Sequence, residues 1–151
     1  MDIKHLLQSL LEHKVKFLLI GAWSFPAYGH VRMTKDVDIF IEPTERNVRR
    51  TIAALKALGY RAVEDASIES FLTKKVLLRQ YILQTDIHPF VSGIDFKEAW
   101  KHRRATKIKE LKVFVPSLAD LIKMKKAAGR KKDKLDLEVL EAIQKRKWKK
   151  I

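Results

Sequence analysis

Asp36 and Asp38 stand two residues apart in the run Asp36-Val37-Asp38-Ile39-Phe40-Ile41-Glu42, which reads as a β-strand closed by Pro43. Alternate side chains of a strand share a face, so both carboxylates project together while Val37, Ile39 and Ile41 turn into a core. Tyr81 to His88 reads as another strand, whose alternation puts Ile82, Gln84, Asp86 and His88 on one face. It offers a third carboxylate. At ~4 Å and an effective dielectric of ~20, each pair of like charges repels by about 4 kcal/mol, against the ~5–15 kcal/mol that keeps a domain folded. A divalent cation removes that cost. Oxygen ligands with few imidazoles suit Mg²⁺ or Mn²⁺, and the chemistry such a site supports is metal-assisted phosphoryl or nucleotidyl transfer. Without a metal, the same residues read as a solvated strand edge and an unrelated surface acid.

The elements around these acids follow from periodicity. Ile3, Leu6, Leu7, Leu10 and Leu11 recur at helical spacing behind Asp2, an N-cap residue. Phe17 to Ile20 is a short buried strand that runs into Gly21, and Ala22 to His30 forms a short helix. Thr44 opens a helix that Gly59 stops. Tyr60 to Val63 is expected as a strand, Asp65 to Leu72 as a turn with a short helical piece, and Lys75 to Leu78 as a strand paired in a hairpin with Tyr81 to His88. Asp95 to Arg103 is a short helix, and Ala105 to Ile108 with Lys112 to Val115 make a second hairpin. Ser117 caps a helix over Leu118 to Ala128. A last helix, roughly Lys132 to Lys145, carries Leu135, Val139, Leu140 and Ile143 inward, ahead of a basic tail, Lys145 to Lys150.

These 151 residues fit one α/β (α+β) domain, with a mixed core over 1–116 and helices and tail over 117–151. The absence of cysteine excludes a disulfide framework and any thiolate metal site. The Val15 to Ile20 run is far shorter than the ~20 residues of a membrane span, which predicts a soluble cytoplasmic protein with no membrane partner. A net charge of +14 attracts polyanions, nucleic acid among them. High Lys and Glu without Cys is equally the composition of a charged surface that serves thermal stability.

The order Phe17-Leu18-Leu19-Ile20-Gly21-Ala22-Trp23-Ser24, then Arg32-x-Thr34-x-Asp36-Val37-Asp38, then Thr85-Asp86-Ile87-His88 resembles the nucleotidyltransferase superfamily with the polymerase-beta fold. Pro116-Ser117-Leu118-x-Asp120-Leu121-x-x-Met124-Lys125 looks like the small prokaryotic group related to AbiEii-type toxins. The resemblance covers Phe17 to about Leu140. It implies a mixed sheet flanked by helices with two C-terminal helices, and Mg²⁺ or Mn²⁺ held by Asp36, Asp38 and Asp86, with Asp86 helping to deprotonate an attacking hydroxyl. It further implies that Gly21, Ala22 and Ser24 meet a nucleoside triphosphate at a helix N-terminus. The usual Gly or Ser after the first Gly is Ala22 here, which leaves Ser24 to supply a hydroxyl.

Arg32 could pair with phosphate or with Asp36, and Thr34 could contact phosphate or cap a turn. Lys125 could reach the β- or γ-phosphate or be a solvated lysine. Arg130, Asp133 and Asp136 resemble the end of the C-terminal motif, but such charges are expected to face water or pair within a helix. The histidines lack metal-ligand spacing; His88 is the one near the acids, and a structural role is expected of it. Trp23 is expected to pack, and Trp100 and Trp148 carry no chemistry the sequence argues. The activity so implied is transfer of a nucleoside monophosphate to a hydroxyl of RNA or tRNA, a protein or a small molecule. The alternative is a non-catalytic NTP- or nucleic-acid-binding regulatory module, paired with an antitoxin or other partner protein. A basic nucleic-acid-binding protein with incidental acids ranks last.

Overall fold

The computed structural model describes residues 1–149, with side chains as far as Arg146. Asp2 caps α1 (Ile3–Glu12) by accepting from the His5 amide, and Ile3, Leu6, Leu7 and Leu10 of that helix are buried. β1 (Phe17–Ile20) is buried throughout and leads straight into a 3₁₀ helix, Gly21–Tyr28. β2 (Asp36–Ile41) follows, then α2 (Glu45–Ala57), capped by Thr44. A 3₁₀ turn (Arg61–Val63), α3 (Ile68–Thr73), β3 (Val76–Leu78), β4 (Gln84–His88) and α4 (Phe96–Lys101) come next. The β5 (Arg104–Ile108) and β6 (Leu111–Val115) hairpin precedes α5 (Leu118–Ala128) and α6 (Lys131–Lys149).

The main sheet has the order β1-β2-β4-β3. β2 runs antiparallel to β1 and parallel to β4, and β3 is antiparallel to β4, so the sheet is mixed. Its two faces differ sharply. Leu19, Val37, Ile39, Ile41 and Ile87 point to a large core shared with α1 and α2 residues such as Leu6, Leu10, Val48 and Leu55. Leu18, Ile20 and Phe40 point the other way, into a smaller core with Phe96 and Ala99. Strand alternation places Asp36, Asp38, Asp86 and His88 on this second face, beside the smaller core.

Asn47, almost wholly buried, ties the ends of β1 and β2 to α2. Its side chain accepts from the Lys16 amide and donates to the carbonyls of Lys16 and Glu42. Such a satisfied buried amide fixes how β2 leaves the sheet. Among the described residues no helix is long and apolar enough to cross a membrane.

The mixed α+β architecture, the N-caps and both hairpin pairings agree with the expectations from sequence, except that the strand expected from Tyr81 begins only at Gln84, with Tyr81 to Leu83 in bends and Ile82 exposed. Two corrections concern the helical and strand assignments. Tyr60 to Val63 is no strand: Tyr60 and Val63 are buried while Arg61 and Ala62 are exposed, a spacing of three that belongs to a 3₁₀ turn. Leu135, expected inward, is exposed, and the buried positions of α6 are Asp133, Asp136 and Leu140. The expected basic tail is described only in part. Lys150, and the side chains of Lys147, Trp148 and Lys149, lie outside the described residues.

Candidate active site

The parallel pairing of β2 with β4 sets Asp38 directly opposite Asp86, Asp36 opposite Gln84 and Phe40 opposite His88. Asp38, Asp86 and His88 each offer an atom within 4.8 Å of the other two. His88 Nε2 lies 2.8 Å from Asp38 Oδ1, and the Arg79 guanidinium donates to Asp86 Oδ1 at 2.8 Å. Asp36, exposed at the start of β2, lines the same cleft but stands outside this three-residue grouping.

The turn after β1 is shaped around Asp38. Gly21 has φ +68°, and a Cβ built on it would meet Asp38 Oδ2 at 2.5 Å. Both the backbone conformation and the space therefore require glycine. Ser24 is fully buried and donates its hydroxyl to the Gly21 carbonyl at 2.6 Å, which closes the turn from inside. Ala22 packs its methyl into the main core. Of this stretch Gly21 lines the cleft, and Ala22 and Ser24 do not.

The cleft encloses about 560 Å³ between the front of the sheet, the segment Phe90 to Ser92 and the inner side of α5. Gly93 lets that segment sit close: a Cβ there would meet the Lys123 carbonyl and Ala127 Cβ at 2.9 Å. Acids form one side, and Lys75, Lys125, Arg130 and Lys132 also line it.

Lys125 reaches this position through α6. Its ammonium lies 2.9 Å from Asp133 Oδ1 and 3.4 Å from Asp136 Oδ2. Arg130 Nε bonds Asp133 at 2.8 Å, and Arg32 lies 3.4 Å from Asp136. Burial alone would raise the Asp133 carboxyl, but hydrogen bonds from Arg130 and Lys125, with their charges, bring it down to about 2. Of the two expectations for these acids, facing water or pairing within a helix, the first is corrected, since both are buried; Asp133 does pair with Arg130 three residues before it, while Lys125 of α5 and Arg32 meet the two acids from other elements. Arg32 pairs with Asp136 and not with Asp36. Thr34 accepts the Asp36 amide at 3.0 Å and so caps the turn before β2. Neither residue lines the cleft.

Arg79, Lys75 and His88 are the site residues that sequence reasoning passed over or discounted. His88 carried a signal, sharing the β4 face with Asp86. Arg79 carried none, since it lies in the connection between β3 and β4 and is brought to Asp86 by the hairpin. Trp23 packs against the main core as expected.

A mixed sheet that sets two carboxylates side by side on a parallel strand pair, against a glycine turn, has the frame of a nucleotidyltransferase. Residues 1–151 match the family model described as a nucleotidyltransferase of unknown function (DUF6036), and the chain belongs to this family. No curated protein matches it.

Proposed function

We propose that the protein is a metal-dependent nucleotidyltransferase that moves a nucleoside monophosphate from an NTP to an acceptor hydroxyl, with pyrophosphate leaving. The observation that carries this reading is the convergence of Asp38, Asp86 and His88 at one side of a cleft that cations also line. Two hard carboxylate oxygens fit Mg²⁺ or Mn²⁺, with Asp36 in the same cleft as a further ligand. The bound ion would neutralise charge on the attacking and leaving oxygens. His88 holds the Asp38 carboxylate in orientation, the part a hydrogen-bonded neighbour plays for a metal ligand. Asp86 accepts the proton of the acceptor hydroxyl. Lys125, Arg130 and Lys132 face the triphosphate, and Gly21 allows the backbone at the start of the 3₁₀ helix to approach it.

The Arg32-x-Thr34-x-Asp36-x-Asp38 form and the Pro116 to Lys125 stretch support placing the chain near the AbiEii-type group, with a toxin–antitoxin role and an antitoxin partner. Acceptors to test are RNA, tRNA, protein side chains and small molecules. The protein is incubated with each α-labelled NTP and Mg²⁺ or Mn²⁺, and the acceptors are examined by mass spectrometry. A nucleotide adduct lost in Asp38→Asn supports the reading. NTP binding with no adduct on any acceptor makes the protein a non-catalytic binding module instead.

A further inference from the structure

We propose that the outer face of the β5–β6 hairpin, together with Trp100 and Arg103, binds single-stranded RNA. This inference rests on the nucleotidyl-transfer reading only in making RNA the acceptor. The binding surface itself is argued from charge and geometry.

Lys107 and Lys112 are directly opposed across the hairpin and both are exposed. Like charges at opposed positions destabilise a strand pair, so this pair costs stability until an anion lies over it. Phe114 shares their face two residues further along β6, with Arg103 beyond it. The Arg103 guanidinium carbon lies 4.1 Å from the Trp100 ring centroid and 4.8 Å from that of Phe114, and the guanidinium donates to the Trp100 carbonyl at 2.9 Å. Packed against two rings set 73° apart, it is fixed in position, and the N–H groups not used on the Trp100 carbonyl offer the planar fork that suits a phosphate. Lys112 lies over Phe114, and Lys16 over Trp100. Among the described residues Arg103, Lys107 and Lys112 have no carboxylate partner, whereas Lys16 and Lys101 pair with Glu42 and Glu98.

The cations form a short row one hairpin wide, running from the opposed Lys107–Lys112 pair to Arg103, about 13 Å along the strand direction at ~3.3 Å per residue. One sugar–phosphate chain fits that row. An anionic membrane fits it less well, because none of the exposed large apolar side chains belongs to this face and both rings are half-buried. The row also adjoins the cleft: Val91 and Met124 line the cleft and pack against the same small core as Trp100 and Phe114. An acceptor strand held on the hairpin therefore lies one wall away from the acids.

The test measures binding of a labelled single-stranded RNA oligonucleotide to the full chain without NTP or metal, across a salt titration. Lys107→Glu with Lys112→Glu keeps a like-charged pair across the hairpin but reverses its sign, and a thermal melt checks that the variant stays folded. Arg46→Glu with Lys56→Glu, on the exposed side of α2, makes the same change in net charge elsewhere. The expected result is a loss of about tenfold or more in affinity for the hairpin variant, with the salt slope reduced by about 1.4 for two phosphates lost, while the α2 variant stays near wild type. Equal weakening of both variants reduces the effect to net charge and overturns the proposal, as does wild-type binding by the hairpin variant. So does binding of phosphatidylserine vesicles, but not RNA, with the same loss. Transfer to other acceptors is measured separately, so a missing RNA surface and a missing nucleotidyltransferase activity give different results.

Discussion

The Cβ that Gly21 lacks would occupy the space of Asp38 Oδ2, 2.5 Å from it. The end of β1 and the acid of β2 are therefore shaped as one unit, and the close approach of the turn to the carboxylate exists because the side chain is missing.

Gly21→Ala is expected to cost about 1–2 kcal/mol from the left-handed backbone alone. Contact with Asp38 adds to this. Thermal melts of Gly21→Ala, Asp38→Ala and the double variant measure the coupling. The two changes should be less than additive, because removing the carboxylate relieves the contact. Strict additivity would show that the turn and the acid are independent.

Millimolar Mg²⁺ or Mn²⁺ should raise the melting temperature, by about 2–3 kcal/mol in stability once the metal reaches a hundredfold its Kd. Asp38→Asn with Asp86→Asn should abolish that shift while the protein stays folded. A full shift in the double variant would locate metal binding elsewhere.

His88→Ala should weaken metal binding by roughly 10–100-fold through loss of the hydrogen bond that orients Asp38. Calorimetric titration with Mn²⁺ reads this directly. Unchanged affinity would leave His88 as a packing residue only.

Asp133 provides a pH prediction. Its folded pKa, about 2, lies below the ordinary value of 3.8, so its contribution to stability is complete above pH 4 and is lost as pH falls through about 2. At 1.36 kcal/mol per unit the contribution is on the order of 2 kcal/mol. Asp133→Asn should be less stable than wild type by that amount at pH 7, and the gap should close between pH 4 and pH 2. A gap independent of pH would assign the loss to packing.

Period-two alternation made the acids of β2 and β4 legible in the sequence, because Val37, Ile39 and Ile87 go into the main core and leave Asp36, Asp38 and Asp86 on the other face. The strand expected over Tyr60 to Val63 is instead a 3₁₀ turn, with Tyr60 and Val63 buried three residues apart, and the reading of α6 failed in part. Of the four residues expected inward, Leu140 is buried, Val139 and Ile143 are half-buried and Leu135 is exposed, while Asp133 and Asp136, expected to face water or pair within a helix, are buried. Their burial depends on Lys125, Arg130 and Arg32, and no pattern within α6 itself reports partners on α5 and in the loop before β2. Arg79 was invisible for a similar reason: its contact with Asp86 is made by the hairpin, not by spacing. Trp100 became interpretable only once folding had brought Arg103 and Phe114 to it.

The parallel pairing of β2 with β4 has a kinetic consequence. Asp38 and His88 are 50 residues apart in the chain, and a parallel strand pair cannot be joined by a tight turn. The loop between them must close before either acid gains its neighbour, and pairings of such range form slowly. An incompletely folded chain therefore has no assembled cluster of Asp38, Asp86 and His88. On the proposed metal-site reading, the cleft is completed as a single late event, and a metal-dependent signal during refolding would report arrival at the native topology.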